Sequence, residues 1–187
     1  MSLTIIMGPM FAGKSTMLIN KINNLLDDHI GENNIYLVNH VSDNRYCDNG
    51  GFCIATHDGN SIKSHGCAKL SELIQILENP LISHIIIDEA HFYEDLFEVV
   101  VKLLSKGKNI IIAGLSGDYM LKPFTKSRFL DLIPYCTDII KLSAKCENCE
   151  KDAHYTKKIT NIELSDQIKV GGKETFIPVC AEHYFNY

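Results

Sequence analysis

The sequence predicts an α/β protein, with a parallel sheet covered by helices on both faces and a small metal-binding module at the C-terminal end. Three observations support this prediction. Short apolar runs alternate with amphipathic segments over most of the chain, which is typical of strands joined by helices. A glycine-rich loop separates the first apolar run from the first helical pattern. Two pairs of cysteine or histidine residues lie near the C-terminal end.

Five apolar runs have the length and the β-branched composition of buried strands. Their apolar character is continuous rather than alternating, which is typical of strands covered on both faces. Helices would join them through right-handed crossovers. The strands are predicted at 3–7 (LTIIM), 35–39 (IYLVN), 84–88 (HIIID), 109–114 (NIIIAG) and 138–142 (DIIKL), and the helices at 15–26, about 68–78, about 94–105 and near 127–133.

Residues 8–16 read GPMFAGKST and fit the phosphate-binding pattern G-x-x-x-x-G-K-[ST]. A strand precedes the loop and a helix follows it, so backbone N–H groups and a helix N-terminus can surround an anion. We expect Lys14 to reach the β- and γ-phosphates of ATP and the Ser15 hydroxyl to bind Mg²⁺. The fold is therefore predicted to resemble that of P-loop NTPases. The candidate ATP-binding residues of the loop are Gly8, Pro9, Met10, Phe11, Ala12, Gly13, Lys14, Ser15 and Thr16.

Two adjacent carboxylates follow the apolar strand at 84–88. In P-loop enzymes an Asp at such a strand end helps to hold Mg²⁺, and Asp88 suits that role. A carboxylate beside a γ-phosphate can accept a proton from an attacking hydroxyl, so Glu89 is the candidate general base. His91 is an alternative base, although a lone His after a strand more often makes a local hydrogen bond.

Two segments interrupt the alternation of strands and helices. Residues 40–66 are rich in Gly, Asn, Asp, Ser and His, and residues 114–126 read GLSGDYMLKPFTK. A long loop in a compact domain is usually functional. Because the alternation stops after about residue 143, we predict a nucleotide-binding domain over 1–142 and a separate module over 143–187.

The C-terminal segment contains CENC at 146–149 and CAEH at 180–183. Four N or S ligands in two close pairs are what tetrahedral Zn²⁺ requires, and a closed set of four indicates a structural site. We expect the segment between the pairs to form a loop or hairpin. The predicted ligands are Cys146, Cys149, Cys180 and His183, whereas Cys47, Cys53, Cys67 and Cys136 are expected to be free thiols.

The bulk composition excludes several functions. A net charge of −5 gives no electrostatic footprint for nucleic acid. The sequence has no uninterrupted apolar run long enough for a transmembrane helix, and its first residues lack the features of a signal peptide. Seven cysteines without a secretory signal favour a reducing compartment. We therefore expect a cytoplasmic protein without nucleic-acid or membrane partners.

The ordered motifs resemble those of the zinc-containing, type II thymidine kinases of cells, bacteria and large DNA viruses. The resemblance covers nearly the whole chain. It implies transfer of the ATP γ-phosphate to the 5′-hydroxyl of thymidine for nucleotide salvage, a homotetramer, and feedback inhibition by thymidine triphosphate. Besides the phosphate loop and the zinc ligands, the matching segments are DNRY at 43–46, THD at 56–58, DEAHFY at 88–93, KPF at 122–124, YTKK at 155–158 and VGGKETFIPVC at 170–180.

The resemblance also implies roles for individual residues. Glu89 matches the catalytic carboxylate, and Asp43 and Arg45 match a D-x-R pair near the phosphates. A loop at about 167–176 matches the one that clamps the base through its main chain. The sequence departs from the family pattern at Ala90, His91 and Ser116, and Phe176 replaces the usual Tyr. The implied nucleoside-binding residues are Met10, Phe92, Tyr119, Phe124, Thr156, Gln167, Ile168, Lys169, Val170, Gly171 and Phe176.

Two alternatives remain open at this point. One is a P-loop NTPase whose zinc ribbon binds nucleic acid, and the other is a kinase for another deoxynucleoside. Residues 143–187 contain six Lys, seven Asp or Glu and no Arg. Since this segment is not basic, its composition argues against the first alternative.

Overall fold

The computed structural model describes residues 1–43, 51–56, 59–160 and 172–186. Strands and helices are numbered here in chain order. The strands are β1 (Ser2–Gly8), β2 (Ile35–His40), β3 (Cys53–Ala55), β4 (Ser61–Lys63), β5 (His65–Cys67), β6 (His84–Ile87), β7 (Asn109–Leu115), β8 (Asp138–Lys141), β9 (Ala144–Lys145), β10 (Asp152–Ala153), β11 (Tyr155–Lys158) and β12 (Phe176–Val179). The α-helices are α1 (Lys14–Asp27), α2 (Ile74–Leu77), α3 (Leu96–Ser105) and α4 (Ala181–Phe185).

Six strands form one parallel sheet in the order β5-β2-β6-β7-β1-β8. β1 lies between β7 and β8, and Ile5 pairs with Ile112 on one side and Ile139 on the other. The prediction of a parallel α/β sheet is confirmed, and all five predicted strands belong to it. Because all strands run the same way, the loops after β1, β2, β6 and β7 meet at one edge of the sheet.

Successive residues of the central strands enter two separate cores. Ile5 contributes to the core that α3 covers, and Ile6 to the core that α1 covers. Both side chains are fully buried, and each such burial stabilises the fold by about 1.5–3 kcal/mol. The continuous apolar runs therefore have the origin that the sequence predicts, since helices lie on both faces.

The described residues correct the expectation of one irregular segment over 40–66. β3 and β4 form an antiparallel hairpin there, and β5 joins the edge of the main sheet. β5 has only three residues, and Cys67 alone among them is buried. So short a strand carries no recognisable periodicity.

Two predicted helices are partly 3₁₀. The segment expected at about 68–78 divides into a 3₁₀ turn at Leu70–Leu73 and the single α-turn of α2. The Asp95 carboxylate accepts hydrogen bonds from the N–H groups of Leu70 and Ser71 and so satisfies the start of that turn. The segment near 127–133 is a 3₁₀ helix at Phe129–Tyr135 that contains Pro134. Pro134 has no N–H with which to continue an α-helix.

The C-terminal residues form a compact module of two hairpins, β9–β10 and β11–β12, followed by α4. Its small core contains Ala144, Ala153 and Val179, and Ala12 of the glycine-rich loop packs against it. The module therefore contacts the glycine-rich loop directly. The predicted domain boundary between residues 142 and 143 stays a prediction. No helix in the described ranges combines the length and the apolar character that crossing a bilayer requires.

Candidate active site

The glycine-rich loop leaves β1 and enters α1 at the edge where the strand ends meet. A Cβ atom on Gly8 would lie 2.8 Å from the Leu142 carbonyl oxygen, so the close approach of these two backbones requires glycine. Gly13 has a φ of 77°, a left-handed conformation that glycine adopts without strain. No side chain caps α1, whose first-turn N–H groups face the loop. This is the arrangement in which a helix N-terminus binds an anion.

Lys14 and Ser15 have distinct contacts at the start of α1. The Lys14 Nζ donates a hydrogen bond of 2.8 Å to the Pro9 carbonyl oxygen, so its ammonium group lies over the loop. The Ser15 hydroxyl donates one of 2.8 Å to Oδ2 of Asp88. Thr16 is exposed. Ser15 and Asp88, which the sequence analysis predicts as ligands of the same Mg²⁺ ion, are therefore in direct contact.

Asp88 is 2% exposed and lies just beyond β6. Its Oδ1 accepts a 2.9 Å hydrogen bond from the Glu89 N–H. Burial, and secondarily the charge of Glu89, raise the pKa of Asp88 to about 7. A bound divalent cation would favour the ionised form instead. A buried carboxylate beside a hydroxyl is a set of hard oxygen donors that fits Mg²⁺.

Glu89 lies in a strained turn. Its φ of 49° and ψ of 38° are left-handed, a conformation that costs a non-glycine residue about 1–3 kcal/mol. The turn continues as a 3₁₀ segment at Ala90–Phe92. The Glu89 side chain is 15% exposed, and its Oε2 lies 3.5 Å from Nδ1 of His91. Strain of this kind is typical of functional turns.

His91 lies in the wall of a cavity, and its hydrogen bond comes from β7 rather than, as the sequence led us to expect, from a neighbouring residue in the chain. It is 1% exposed, and its ring lies 4.2 Å from that of Phe92 and 4.7 Å from that of Phe124, measured between centroids. The Leu115 N–H donates to its Nδ1 at 3.3 Å.

A cavity that opens to solvent lies beside this turn. Phe92 and Phe124 are buried in its wall, and the Tyr119 and Phe176 rings lie 6.1 Å apart. Aromatic faces around an open cavity suit a flat ligand. The lining residues are Met10, His91, Phe92, Leu115, Gly117, Asp118, Tyr119, Phe124, Thr156 and Phe176.

The structure brings six predicted nucleoside-binding residues to this cavity, and their contact with a nucleoside stays a prediction. Among the remaining lining residues, Leu115, Gly117 and Asp118 were not predicted. Asp118 is buried, and its Oδ1 accepts hydrogen bonds of 2.8 Å from the N–H groups of Met120 and Lys122. The sequence showed only an irregular segment after a strand, which gives no indication of which residues face inward.

The C-terminal module closes one side of this site. The Met10 N–H donates a 3.0 Å hydrogen bond to the Thr156 hydroxyl, which joins the glycine-rich loop to β11. Phe176 enters the cavity from the neighbouring strand β12. The module therefore contacts both the loop and the cavity.

The other predicted site residues either have contacts elsewhere or lie outside the described part of the chain. Asp43 is 8% exposed and accepts a 3.1 Å hydrogen bond from Nδ2 of the fully buried Asn39. Asp43 also contributes to the raised pKa of Asp88, although less than burial and Glu89 do. The predicted residues that lie outside the described part of the chain are Arg45, Gln167, Ile168, Lys169, Val170 and Gly171.

The four predicted zinc ligands converge on one point. Their ligand atoms all lie within 4.8 Å of one another. Sγ of Cys149 lies 3.8 Å from Sγ of Cys180, and Nδ1 of His183 lies 3.5 Å from Sγ of Cys146. A tetrahedron with Zn–S bonds of about 2.3 Å has its sulfur atoms about 3.8 Å apart. The group could hold a metal ion, and its ligand types and spacing are compatible with zinc.

Comparison with known proteins gives a consistent result. A family model described as thymidine kinase matches residues 1–184. A thymidine kinase of rice, Oryza sativa subsp. japonica, is 34% identical over 97% of this chain and 65% of its own length. A protein of the chicken, Gallus gallus, named "Thymidine kinase, cytosolic", is 33% identical over 97% of this chain and 75% of its own length. A thymidine kinase of variola virus is 33% identical over 97% of this chain and 96% of its own length.

Proposed function

The chain belongs to the thymidine kinase family, and we propose from this premise that it transfers the γ-phosphate of ATP to the 5′-hydroxyl of thymidine. One observation carries the proposal. Glu89 lies between the glycine-rich loop, which it reaches through Asp88 and Ser15, and the aromatic cavity, which it reaches through His91. A carboxylate in that position lies between a site for the phosphate donor and a site for the acceptor, where a kinase requires its general base.

The donor side consists of the glycine-rich loop and its helix. Loop N–H groups and Lys14 bind the phosphates of ATP, and phosphoryl transfer depends mainly on such positioning and charge stabilisation. Ser15 and Asp88 would hold Mg²⁺, which neutralises charge on the phosphates when bound. The direct contact between the two side chains supports this assignment. Arg45, in the D-x-R pair with Asp43, completes the proposed phosphate set.

Glu89 is the proposed general base. Its carboxylate accepts the proton of the 5′-hydroxyl as that oxygen attacks the γ-phosphorus and the bond to the β-phosphate oxygen breaks. The left-handed turn at Glu89 supports this role, because it directs the residue away from the line of the strand. A positioned base of this kind contributes about 10²–10⁴ in rate.

The acceptor side is the aromatic cavity. Thymine lies among the rings, and the Thr156 hydroxyl and Phe176 bound it from the C-terminal module. The loop at about 167–176 closes over the base through its main chain, as the family resemblance implies. A site that hydrogen-bonds the thymine edge rejects cytosine, because the wrong edge leaves buried polar groups unpaired.

The cysteine and histidine cluster is proposed as a structural zinc site. Its four ligands leave no open position for catalysis. The ion would fasten the β9–β10 hairpin to α4 and thereby support the wall that carries Thr156 and Phe176. We extend the proposal to a cytoplasmic homotetramer that thymidine triphosphate inhibits, as family membership implies.

Transfer of label from [γ-³²P]ATP tests the proposed reaction. Thymidine should accept the label as thymidine monophosphate. Label that goes only to water would contradict the proposal, and turnover stimulated by nucleic acid but not by thymidine would favour the nucleic-acid alternative. Comparing kcat/KM for thymidine, deoxyuridine and deoxycytidine tests the other alternative, a kinase for a different deoxynucleoside.

A further inference from the structure

A hydrogen bond joins the metal-binding module to the loop that lines the nucleoside cavity. The Tyr184 hydroxyl donates to the Tyr119 carbonyl oxygen at 2.7 Å, across 65 residues of sequence. Tyr184 is half-buried on α4, and Tyr119 lies in the loop after β7. The contact therefore connects two elements that belong to different parts of the fold.

Tyr119 occupies a position where small displacements would change the cavity. Its ring lies in the wall, 6.1 Å from the Phe176 ring, with the Lys158 ammonium 5.7 Å from its centroid. Asp118 organises the loop internally by accepting hydrogen bonds from the N–H groups of Met120 and Lys122. Those two hydrogen bonds lie within the loop. The bond from the Tyr184 hydroxyl instead joins the loop to the C-terminal module.

The metal cluster holds the helix that carries Tyr184. α4 has five residues, too few for an isolated helix to be stable. Cys180 occupies its N-cap, His183 lies within it, and their ligand atoms are 3.2 Å apart. The Tyr184 ring also packs on that of Tyr155, with 5.2 Å between centroids. A metal ion bound to Cys180 and His183 would therefore restrain the helix that carries the Tyr184 hydroxyl.

We propose that Tyr184 is a positioning residue whose hydroxyl holds Tyr119 against the nucleoside and thereby couples metal loading to thymidine affinity. This inference rests on the proposed function of the cavity. Coupling between two ligands is reciprocal. If metal at the cluster strengthens thymidine binding, thymidine must strengthen metal binding by the same factor.

The test compares Tyr184→Phe with Tyr155→Phe as a control. Tyr155→Phe removes a hydroxyl from the ring that packs on Tyr184 but leaves the hydrogen bond from Tyr184 to Tyr119 intact. Loss of one hydrogen bond should raise the Kd and KM for thymidine about fivefold in Tyr184→Phe. kcat, the KM for ATP and the zinc content should stay near wild-type values. Tyr155→Phe should resemble the wild type in all of them.

A second measurement determines the zinc affinity by equilibrium competition with a chromogenic chelator, with and without saturating thymidine. Thymidine should raise the zinc affinity of the wild type, and the increase should be reduced in Tyr184→Phe. This measurement stays decisive if Tyr184→Phe folds poorly, because it can be made on the wild type alone. If thymidine does not change the zinc affinity of the wild type, the proposed coupling is wrong.

The outcomes separate this inference from the proposed function. Wild-type protein that binds no thymidine would contradict the proposed function. Wild-type protein that binds thymidine, together with a Tyr184→Phe variant of unchanged thymidine affinity and an unchanged effect of thymidine on zinc affinity, would contradict only the role of Tyr184.

Discussion

The Ser15 hydroxyl donates a hydrogen bond of 2.8 Å to Oδ2 of Asp88, although 73 positions separate the two residues in the chain. Ser15 lies in the first turn of the helix after β1, and Asp88 lies just beyond strand β6. β7 lies between those two strands in the sheet. The parallel topology therefore brings together a hydroxyl and a carboxylate that serve one proposed Mg²⁺ site.

Removal of the proposed general base should stop phosphate transfer without preventing ATP binding. Glu89→Gln keeps the size of the side chain but cannot accept the proton, so we expect kcat to fall by about 10²–10⁴. Steady-state kinetics and an ATP-binding assay measure the two effects. Glu94→Gln is the control, because Glu94 is a half-exposed partner of Lys126. An unchanged kcat in Glu89→Gln would remove Glu89 from the mechanism.

The contact between Ser15 and Asp88 makes a prediction about magnesium. Ser15→Ala removes a proposed ligand, whereas Ser15→Thr keeps the hydroxyl that the phosphate-loop pattern accepts. We expect the Mg²⁺ concentration for half-maximal activity to rise by about 10–100-fold in Ser15→Ala, the range known for weakened metal sites. A magnesium titration checks this, and equal requirements in both variants would argue against the site.

The raised pKa of Asp88 predicts a pH-dependent stability in the absence of divalent cations. Burial first, and Glu89 second, raise this pKa from 3.8 to about 7. The native state then keeps a proton that the unfolded chain has lost, so stability declines as the pH rises from about 4 to about 7. We expect Asp88→Asn to melt above the wild type at pH about 7.5, with the difference vanishing near pH 4.

Thermal melting across this pH range, with and without Mg²⁺, measures the effect. Magnesium favours the ionised carboxylate, so it should reduce the difference between wild type and Asp88→Asn at neutral pH. Melting curves that shift in parallel at every pH would show that Asp88 does not keep its proton in the native state.

Loss of a zinc ligand should disorder the C-terminal module before the sheet. Cys149→Ser leaves three of the four ligands, and a structural zinc can supply about 10–16 kcal/mol of apparent folding free energy. We expect zinc below one atom per chain and faster hydrogen exchange in β9–β12 than in β1 or β7. Elemental analysis and exchange mass spectrometry measure these quantities. Cys136→Ser, outside the cluster, should retain full zinc, and so should Cys149→Ser if the site is misassigned.

Much of the architecture could be predicted because its signals are local. Residues 5–7 and 110–113 are apolar at every position, since both faces of their strands are covered. The candidate metal ligands could be predicted because two residues three positions apart can reach one ion from a single turn. β5 was missed because three residues show no period, and the helical pattern near 127–133 did not distinguish an α-helix from the 3₁₀ helix at Phe129–Tyr135.

From the sequence alone we could predict the fold class, the glycine-rich loop between the first strand and helix, the acidic strand end and the four candidate metal ligands. Each depends on residue types at short spacing. Only the tertiary structure decided that His91 is a cavity wall, that Asp118 shapes the neighbouring loop, and that the Tyr184 hydroxyl reaches the Tyr119 carbonyl. The physical reason is that such contacts join residues distant in the chain, and no local pattern records which strand ends become neighbours when the sheet forms.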